Sequence, residues 1–295
     1  MSLSALTTKA LQEAGLDPAY VEGLVRLALE EDLGGGVDVT SVAIISFDEE
    51  GTADFVARAG GIVAGLPVVR AVMDIASDDA ATCIAQVEDG QPVEPGAVLM
   101  SVSAQTRALL TGERTALNLL GHLSGVATLT RQWVDAVAGT GACIRDTRKT
   151  IPGLRLLEKY AVRCGGGQNH RMSLSDAALI KDNHVLFAES VSAAFRSVRR
   201  TFPDIPVEVE CDTLEQVAEA VEAGADLILL DNMAPSELHK AVEIVGGRAR
   251  LEASGGLSLD NARAVAETGV DYLAVGALTH SAAVLDIGVD LRRGI

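Results

Sequence analysis

The sequence predicts an α/β protein in two parts, a small α+β region over roughly the first 120 residues and a longer region of parallel strands alternating with helices. Three observations carry this. At 295 residues with 48% apolar side chains, the chain is long for one domain and can bury a sizeable core. Aromatic residues make up only 3% while Ala, Val, Leu and Gly abound, which suits closely packed layers of small and branched side chains. In the second region strand-length apolar runs alternate with helical stretches, and one unit echoes weakly: AGADLILLDN from Ala223 and TGVDYLAVGA from Thr268 align Gly224 with Gly269 and Asp226 with Asp271, a period of 45 residues that fits one βα unit.

In chain order, Pro18 to Glu31 has helical spacing and ends on the turn Gly34, Gly35, Gly36. Short strands are expected at Ala53 to Val63, Cys83 to Val87 and Val98 to Val102, with turn chemistry in DGQPVEPGA between the last two. From Thr111 to Ala138, Leu117, Leu120, Leu123 and Val126 mark one or two helices. Strands then follow at Cys143 to Thr147, Ala178 to Lys181, Val207 to Cys211, Leu227 to Asp231, Arg250 to Ala253 and Tyr272 to Val275, with helices such as Leu214 to Glu222 and Leu259 to Glu267 between them. Parallel strands of this kind build a barrel or an open doubly wound sheet. No dinucleotide-type Gly-x-Gly-x-x-Gly follows the first strand, which favours the barrel.

The chain is acidic, with 24 Lys and Arg against 41 Asp and Glu and a pI near 4.6, so nucleic acid is not expected as a partner. Its first residues, MSLSALTTKALQEAGLDP, carry Lys9 and Glu13 and form no apolar signal core. No later stretch reaches membrane-spanning length, so a soluble, cytoplasmic protein with no membrane partner is expected. Cys83, Cys143, Cys164 and Cys211 contain no Cys-x-x-Cys pair, which indicates buried free thiols rather than a zinc site or disulfides.

Against this acidic background, residues 145–171 (RDTRKTIPGLRLLEKYAVRCGGGQNHR) hold seven Lys or Arg against two acids. A concentrated cationic patch in a negative protein has an anion to hold. Polar and charged residues also stand at the C-terminal ends of four consecutive strands: Arg145, Thr147, Arg148 and Lys149, then Lys181, Glu210 and Asp231. In a parallel barrel that edge is where a site is built. The last two strands end in small residues, Ser254-Gly255-Gly256 and Gly276-Ala277, at the place where barrels hold phosphate. Other readings are blander. Glu210 and Asp231 could pair with Lys149 or Lys181 as a structural ion network, and Arg155, Lys159 and Arg163, four residues apart, read as a solvated helical stripe. Gly165, Gly166 and Gly167 supply backbone freedom, and His122, His184, His239 and His280 have no metal-ligand spacing.

The runs EDLGGGVDVTS, GERTALN, RDTRKTIPGLRLLEKYAVRCGGGQNHR, LIKDNH, VEVECD, LILLDN, EASGG and DYLAVGALTHS, in this order, resemble the quinolinate phosphoribosyltransferase family over nearly the whole chain. The resemblance implies an N-terminal α/β sandwich domain over residues 1–124, completed by the C-terminal tail 281–295, and an open, incomplete parallel α/β barrel over 125–280. It implies conversion of quinolinate and phosphoribosyl pyrophosphate, with Mg2+, to nicotinate mononucleotide, pyrophosphate and CO2. It also implies a homodimer with a shared active site, in which Arg114 of the ERT motif reaches the partner's barrel.

On that resemblance Arg114, Arg148, Arg171 and His170 form a clamp for the dicarboxylate, with Thr147 beside them, and guanidinium forks suit carboxylates. Lys149 and Lys181 fall near pyrophosphate and ribose. Glu210 and Asp231 face the ribose hydroxyls and the metal, mostly through substrate and water. Ser254, Gly255, Gly256, Val275, Gly276 and Ala277 hold the 5-phosphate. Ser173 stands where many members have glycine. The competing readings are a molybdenum-transport-type phosphoribosyltransferase-like protein, a Schiff-base aldolase using Lys181, and a non-catalytic phosphate-sugar binder.

Overall fold

The structure is a computed structural model and describes residues 3–293. Helices α1 (Ala5–Glu13), α2 (Pro18–Leu33) and α3 (Val39–Ile44) precede strands β1 (Glu50–Ala57) and β2 (Gly61–Ile62). Next come helix α4 (Leu66–Ala76), strands β3 (Thr82–Ala85), β4 (Pro92–Val93) and β5 (Val98–Gln105), and the 31-residue helix α5 (Thr106–Ala136). Beyond it lie β6 (Cys143–Arg145), α6 (Arg155–Cys164), β7 (Ala178–Ile180), α7 (Asp182–Ala188), α8 (Val191–Thr201), β8 (Val207–Cys211) and α9 (Leu214–Glu222). The chain ends with β9 (Leu227–Asp231), α10 (Pro235–Val245), β10 (Arg250–Ser254), α11 (Leu259–Ala266), β11 (Tyr272–Ala274), the single turn α12 (Ala277–His280) and β12 (Ile287–Arg293).

Two compact units result, one of residues up to 129 with 151–166 and the tail from 281, the other of residues 130–150 and 167–280. The first is built on an antiparallel sheet in the order β12-β1-β5-β3. Its central strand β1 buries Ala53, Phe55, Val56 and Ala57. The expected strand Ala53 to Val63 is in fact two, because at Arg58 the backbone N–H turns to donate to Asp286 O (2.8 Å) and the chain leaves the ladder. Helix α2 starts where Asp17 accepts from Ala19 N and Pro18 enters the first turn, and it stops at Gly34.

Helix α6 overturns one expectation. Lys159 belongs to no solvated stripe: it is fully buried, and every residue from Leu157 to Val162 is buried with it. The neighbouring charge is satisfied inside the unit, where Glu158 Oε1 meets His122 Nε2 (2.8 Å), its Oε2 accepts from Ile151 N (3.1 Å), and the Tyr160 hydroxyl donates to Asp89 (2.5 Å). The cysteines are free, as expected, but only Cys211 is fully buried; Cys83, Cys143 and Cys164 are half-buried.

The second unit is one six-stranded parallel sheet in the order β6-β11-β10-β9-β8-β7. This is the chain order with β6 carried round to pair with β11, so the sheet curls into a barrel whose seam lies between β6 and β7. Side chains from alternate strands confirm the curl. Arg145 on β6 donates to Glu252 on β10 (2.9 Å), and His170 bridges from Glu252 (3.5 Å) to Glu208 on β8 (2.6 Å). In a flat sheet β6 and β8 would stand roughly 19 Å apart. Meeting in the lumen is what alternate barrel strands do.

Candidate active site

At the C-terminal ends of these strands opens a cavity of about 500 Å³. Of the residues singled out from the sequence, those after β6 (Thr147, Arg148, Lys149), His170 and Arg171, Lys181 after β7, Glu210 on β8, Asp231 on β9, Ser254 at the end of β10 with Gly255 and Gly256 after it, and Val275, Gly276 and Ala277 after β11 all line it. Arg114 is not among them and lies on α5 in the first unit. The lining also includes Glu252 and His280, which the sequence reading had not placed in the site.

Local bonding sets the cationic side of the cavity. Asp146, fully buried behind β6, accepts from His170 N (2.8 Å) and Asn169 Nδ2 (2.6 Å) and so anchors the segment that presents His170 and Arg171. Arg171 donates from Nη1 to Ala177 O (2.9 Å), and Asp176 gathers the backbone N–H groups of Met172 and Ser173 (2.7 and 3.0 Å). Ser173 fits this turn without strain, its hydroxyl within reach of Ser175 and Asp176. Burial, and then the neighbouring charge of Arg148, hold the Arg171 guanidinium below its ordinary value. Arg148 Nε is a buried N–H with no hydrogen-bond partner. Two crowded guanidiniums and an orphaned donor are the conditions an incoming carboxylate relieves.

The opposite side carries the carboxylates. Lys181 Nζ lies 2.9 Å from Glu210 Oε2, with the lysine side chain 48% exposed. The structural ion-pair reading therefore holds for Glu210, whereas Asp231 accepts from Asn232 Nδ2 (2.6 Å) instead. Gly255 has φ +80°, and a Cβ there would run into the Asn232 side chain and backbone, so only glycine allows this turn. At Gly276 a Cβ would come within 2.9 Å of Lys149 Cδ; its absence lets the lysine stem lie against the turn. Lys149 is tied locally, its N–H donating to Thr147 Oγ1 (3.0 Å) and its carbonyl accepting from Thr279 Oγ1 (2.8 Å).

Beneath the rim lies a second tier. Glu208 and Glu252 are 4% and 0% exposed, Arg145 stacks over Tyr272 at 3.8 Å from the ring centroid, and His170 joins the two carboxylates. Its Nδ1 accepts from Arg171 N (2.8 Å), which leaves Nε2 as the donor to Glu208. Burial first, and the charge of Glu208 second, push the Glu252 carboxyl up to about 7, against the pull of His170 and Arg145. Among the described residues, His170, Glu208 and Glu252 are the group close enough together to suggest a metal. A 2.6 Å hydrogen bond already joins two of them and Arg145 occupies the third, so this is a charge network rather than a cage.

A parallel barrel whose last two strand ends are glycine turns, with a carboxylate pair and a cationic cluster facing each other across its mouth, defines an enzyme class that handles phosphorylated sugars and their anionic acceptors. Two family descriptions match the chain: the N-terminal domain of quinolinate phosphoribosyl transferase over residues 38–124 and its C-terminal domain over 126–290. A nicotinate-nucleotide pyrophosphorylase [carboxylating] of Mycobacterium leprae is 52% identical over 90% of this chain and 95% of its own length. Crystal structures of NadC from Streptococcus pyogenes (37% identity, TM-score 0.91, covering 95% of this chain and 99% of that one) and of the nicotinate-nucleotide pyrophosphorylase from Ehrlichia chaffeensis (39%, 0.87, 92% and 98%) share the fold. The chain belongs to the quinolinate phosphoribosyltransferase family. No helix among the described residues is long and apolar enough to cross a membrane.

Proposed function

We propose that the barrel mouth transfers a phosphoribosyl group from phosphoribosyl pyrophosphate to quinolinate and releases CO2, giving nicotinate mononucleotide and pyrophosphate, a step of NAD biosynthesis. The observation that carries this is one cavity lined together by Arg148, Arg171 and Lys149, by Glu210 and Asp231, and by two glycine turns. The cationic side suits a dicarboxylate, and the glycine turns suit a 5-phosphate.

No nucleophilic side chain is required. The pyridine nitrogen attacks the anomeric carbon as pyrophosphate leaves, and the quaternised nitrogen then accepts the electron pair of the departing carboxyl group. The protein holds the partners in line and compensates charge, with Glu210 and Asp231 facing the positive charge that develops on the ribose. Glu210 and Asp231 would offer Mg2+ the hard oxygen donors it prefers, and the metal would supply charge neutralisation for the leaving pyrophosphate. Lys181, paired with Glu210 and half in solvent, is not the desolvated lysine that an aldolase needs. Arg114 acts from the partner subunit of a homodimer and completes the carboxylate clamp there.

Incubation with quinolinate, phosphoribosyl pyrophosphate and Mg2+ tests the reading: nicotinate mononucleotide is expected. Turnover of nicotinate with no turnover of quinolinate would contradict it.

A further inference from the structure

Loss of CO2 from C2 of the pyridinium leaves an electron pair on that carbon, and the product carries a hydrogen there. That proton has to come from a group within reach of C2. The groups at the mouth can be sorted by whether they have one to give. Arg148 and Arg171 do not release protons in proteins. Lys149 and Lys181 carry ammonium groups, which are far weaker acids than a carboxylic acid, and Lys181 is besides held by Glu210. His170 has no spare proton, since Nδ1 accepts from Arg171 N and the Nε2 proton lies in the 2.6 Å bond to Glu208.

Glu252 differs from all of them. It is 0% exposed, it belongs to the cavity floor, and Arg145 engages only its Oε2. Its Oε1 is buried with no hydrogen-bond partner, 3.5 Å from the imidazole. Arg145 is one positive charge between two carboxylates, so the tier balances when one of them is neutral. We propose that Glu252, as the neutral carboxylic acid, donates the proton that replaces the departing carboxyl group at C2. This rests on the phosphoribosyl transfer reading above.

The step balances. The C2–carboxyl bond breaks and CO2 leaves; its electron pair stays on C2, beside the quaternised nitrogen, and forms the C2–H bond with the Oε1 proton. The resulting Glu252 carboxylate is held by Arg145 and regains a proton from water when the product leaves. The raised affinity of this carboxyl for its proton, caused by burial and by Glu208, keeps the acid form in place at neutral pH.

E252Q separates the two halves of the reaction, because glutamine keeps the shape and the Arg145 contact but has no proton to release. Quinolinate affinity and first-turnover pyrophosphate release should stay close to wild type, while nicotinate mononucleotide formation falls by about 10²-fold and the carboxylated mononucleotide accumulates in quenched samples. In the wild-type protein, D2O should slow nicotinate mononucleotide formation and leave pyrophosphate release unchanged, a measurement that stands even if the variant folds poorly. Equal loss of both products in a folded E252Q, or no loss of either, overturns the proposal. A wild-type protein that releases no pyrophosphate with quinolinate overturns the activity itself, a distinct result.

Discussion

Glu208 and Glu210 stand two residues apart on one face of β8 and do different work. Glu210 reaches the rim, where its partner is an ammonium half in solvent. Glu208 lies on the floor, where its partner is a buried imidazole and its neighbour Glu252 has been pushed toward the protonated form. The same contrast holds between Asp231 and Glu252 on adjacent strands. Depth along a barrel lumen turns one residue type from a counter-charge for a cationic transition state into a keeper of protons. The rim thus suits phosphoribosyl transfer and the floor suits decarboxylation.

The largest effect should come from breaking the rim from both subunits. Arg114→Ala and Lys149→Ala are each expected to be nearly inactive as homodimers. A mixed dimer with one substitution per subunit should recover about half of wild-type activity, because two-fold symmetry places both defects in one site and neither in the other. Assaying the purified mixed dimer checks this; no recovery would remove Arg114 from the shared site.

Next in size, Glu210→Gln should lower kcat by about 10²- to 10³-fold while leaving quinolinate affinity nearly unchanged, since it removes charge compensation at the ribose and not the carboxylate clamp. Steady-state kinetics with each substrate varied would reveal the opposite pattern. Arg148→Lys keeps the charge but loses the two-pronged contact, and quinolinate binding should weaken by about 1.5 to 3 kcal/mol while phosphoribosyl pyrophosphate binding changes little. Calorimetry with each ligand decides it, and equal weakening of both would contradict the role.

The floor offers the clearest sign. The Glu252 carboxyl is raised from 4.5 to about 7 in the folded protein, so its contribution is fully present below pH 4.5 and is lost as the pH rises through 7. Stability to urea should therefore decline over that window by roughly 3 kcal/mol at most, and E252Q should flatten the decline. A decline equally steep in E252Q would place the titrating group elsewhere.

How much of this was legible in the sequence depends on what each signal measures. Strands β8 and β9 and helix α9 fall on the residues expected of them, because LILLD is a short apolar run and VEVEC alternates apolar residues with acids, each closed by a polar turn. Helices α4, α8 and α10 were not marked in advance, although each buries an apolar face, Val191, Ala194 and Phe195 on α8 among them. Lys159 misled because four-residue spacing identifies a free face only when the helix has one, and α6 is covered all round at its centre. Glu252 was passed over although a charged residue inside LEASG was visible; one dimension does not say how deep a residue sits in a lumen. Arg114 carried no local signal and entered only through its motif.

Coupling of phosphoribosyl transfer to decarboxylation in one cavity has a countable signature. Quinolinate labelled in its 2-carboxyl group tests it most directly, by counting labelled CO2 against pyrophosphate as the reaction proceeds. The account predicts one CO2 for each pyrophosphate and no CO2 without phosphoribosyl pyrophosphate; pyrophosphate released with the label still on the product, or CO2 released from quinolinate alone, would contradict it.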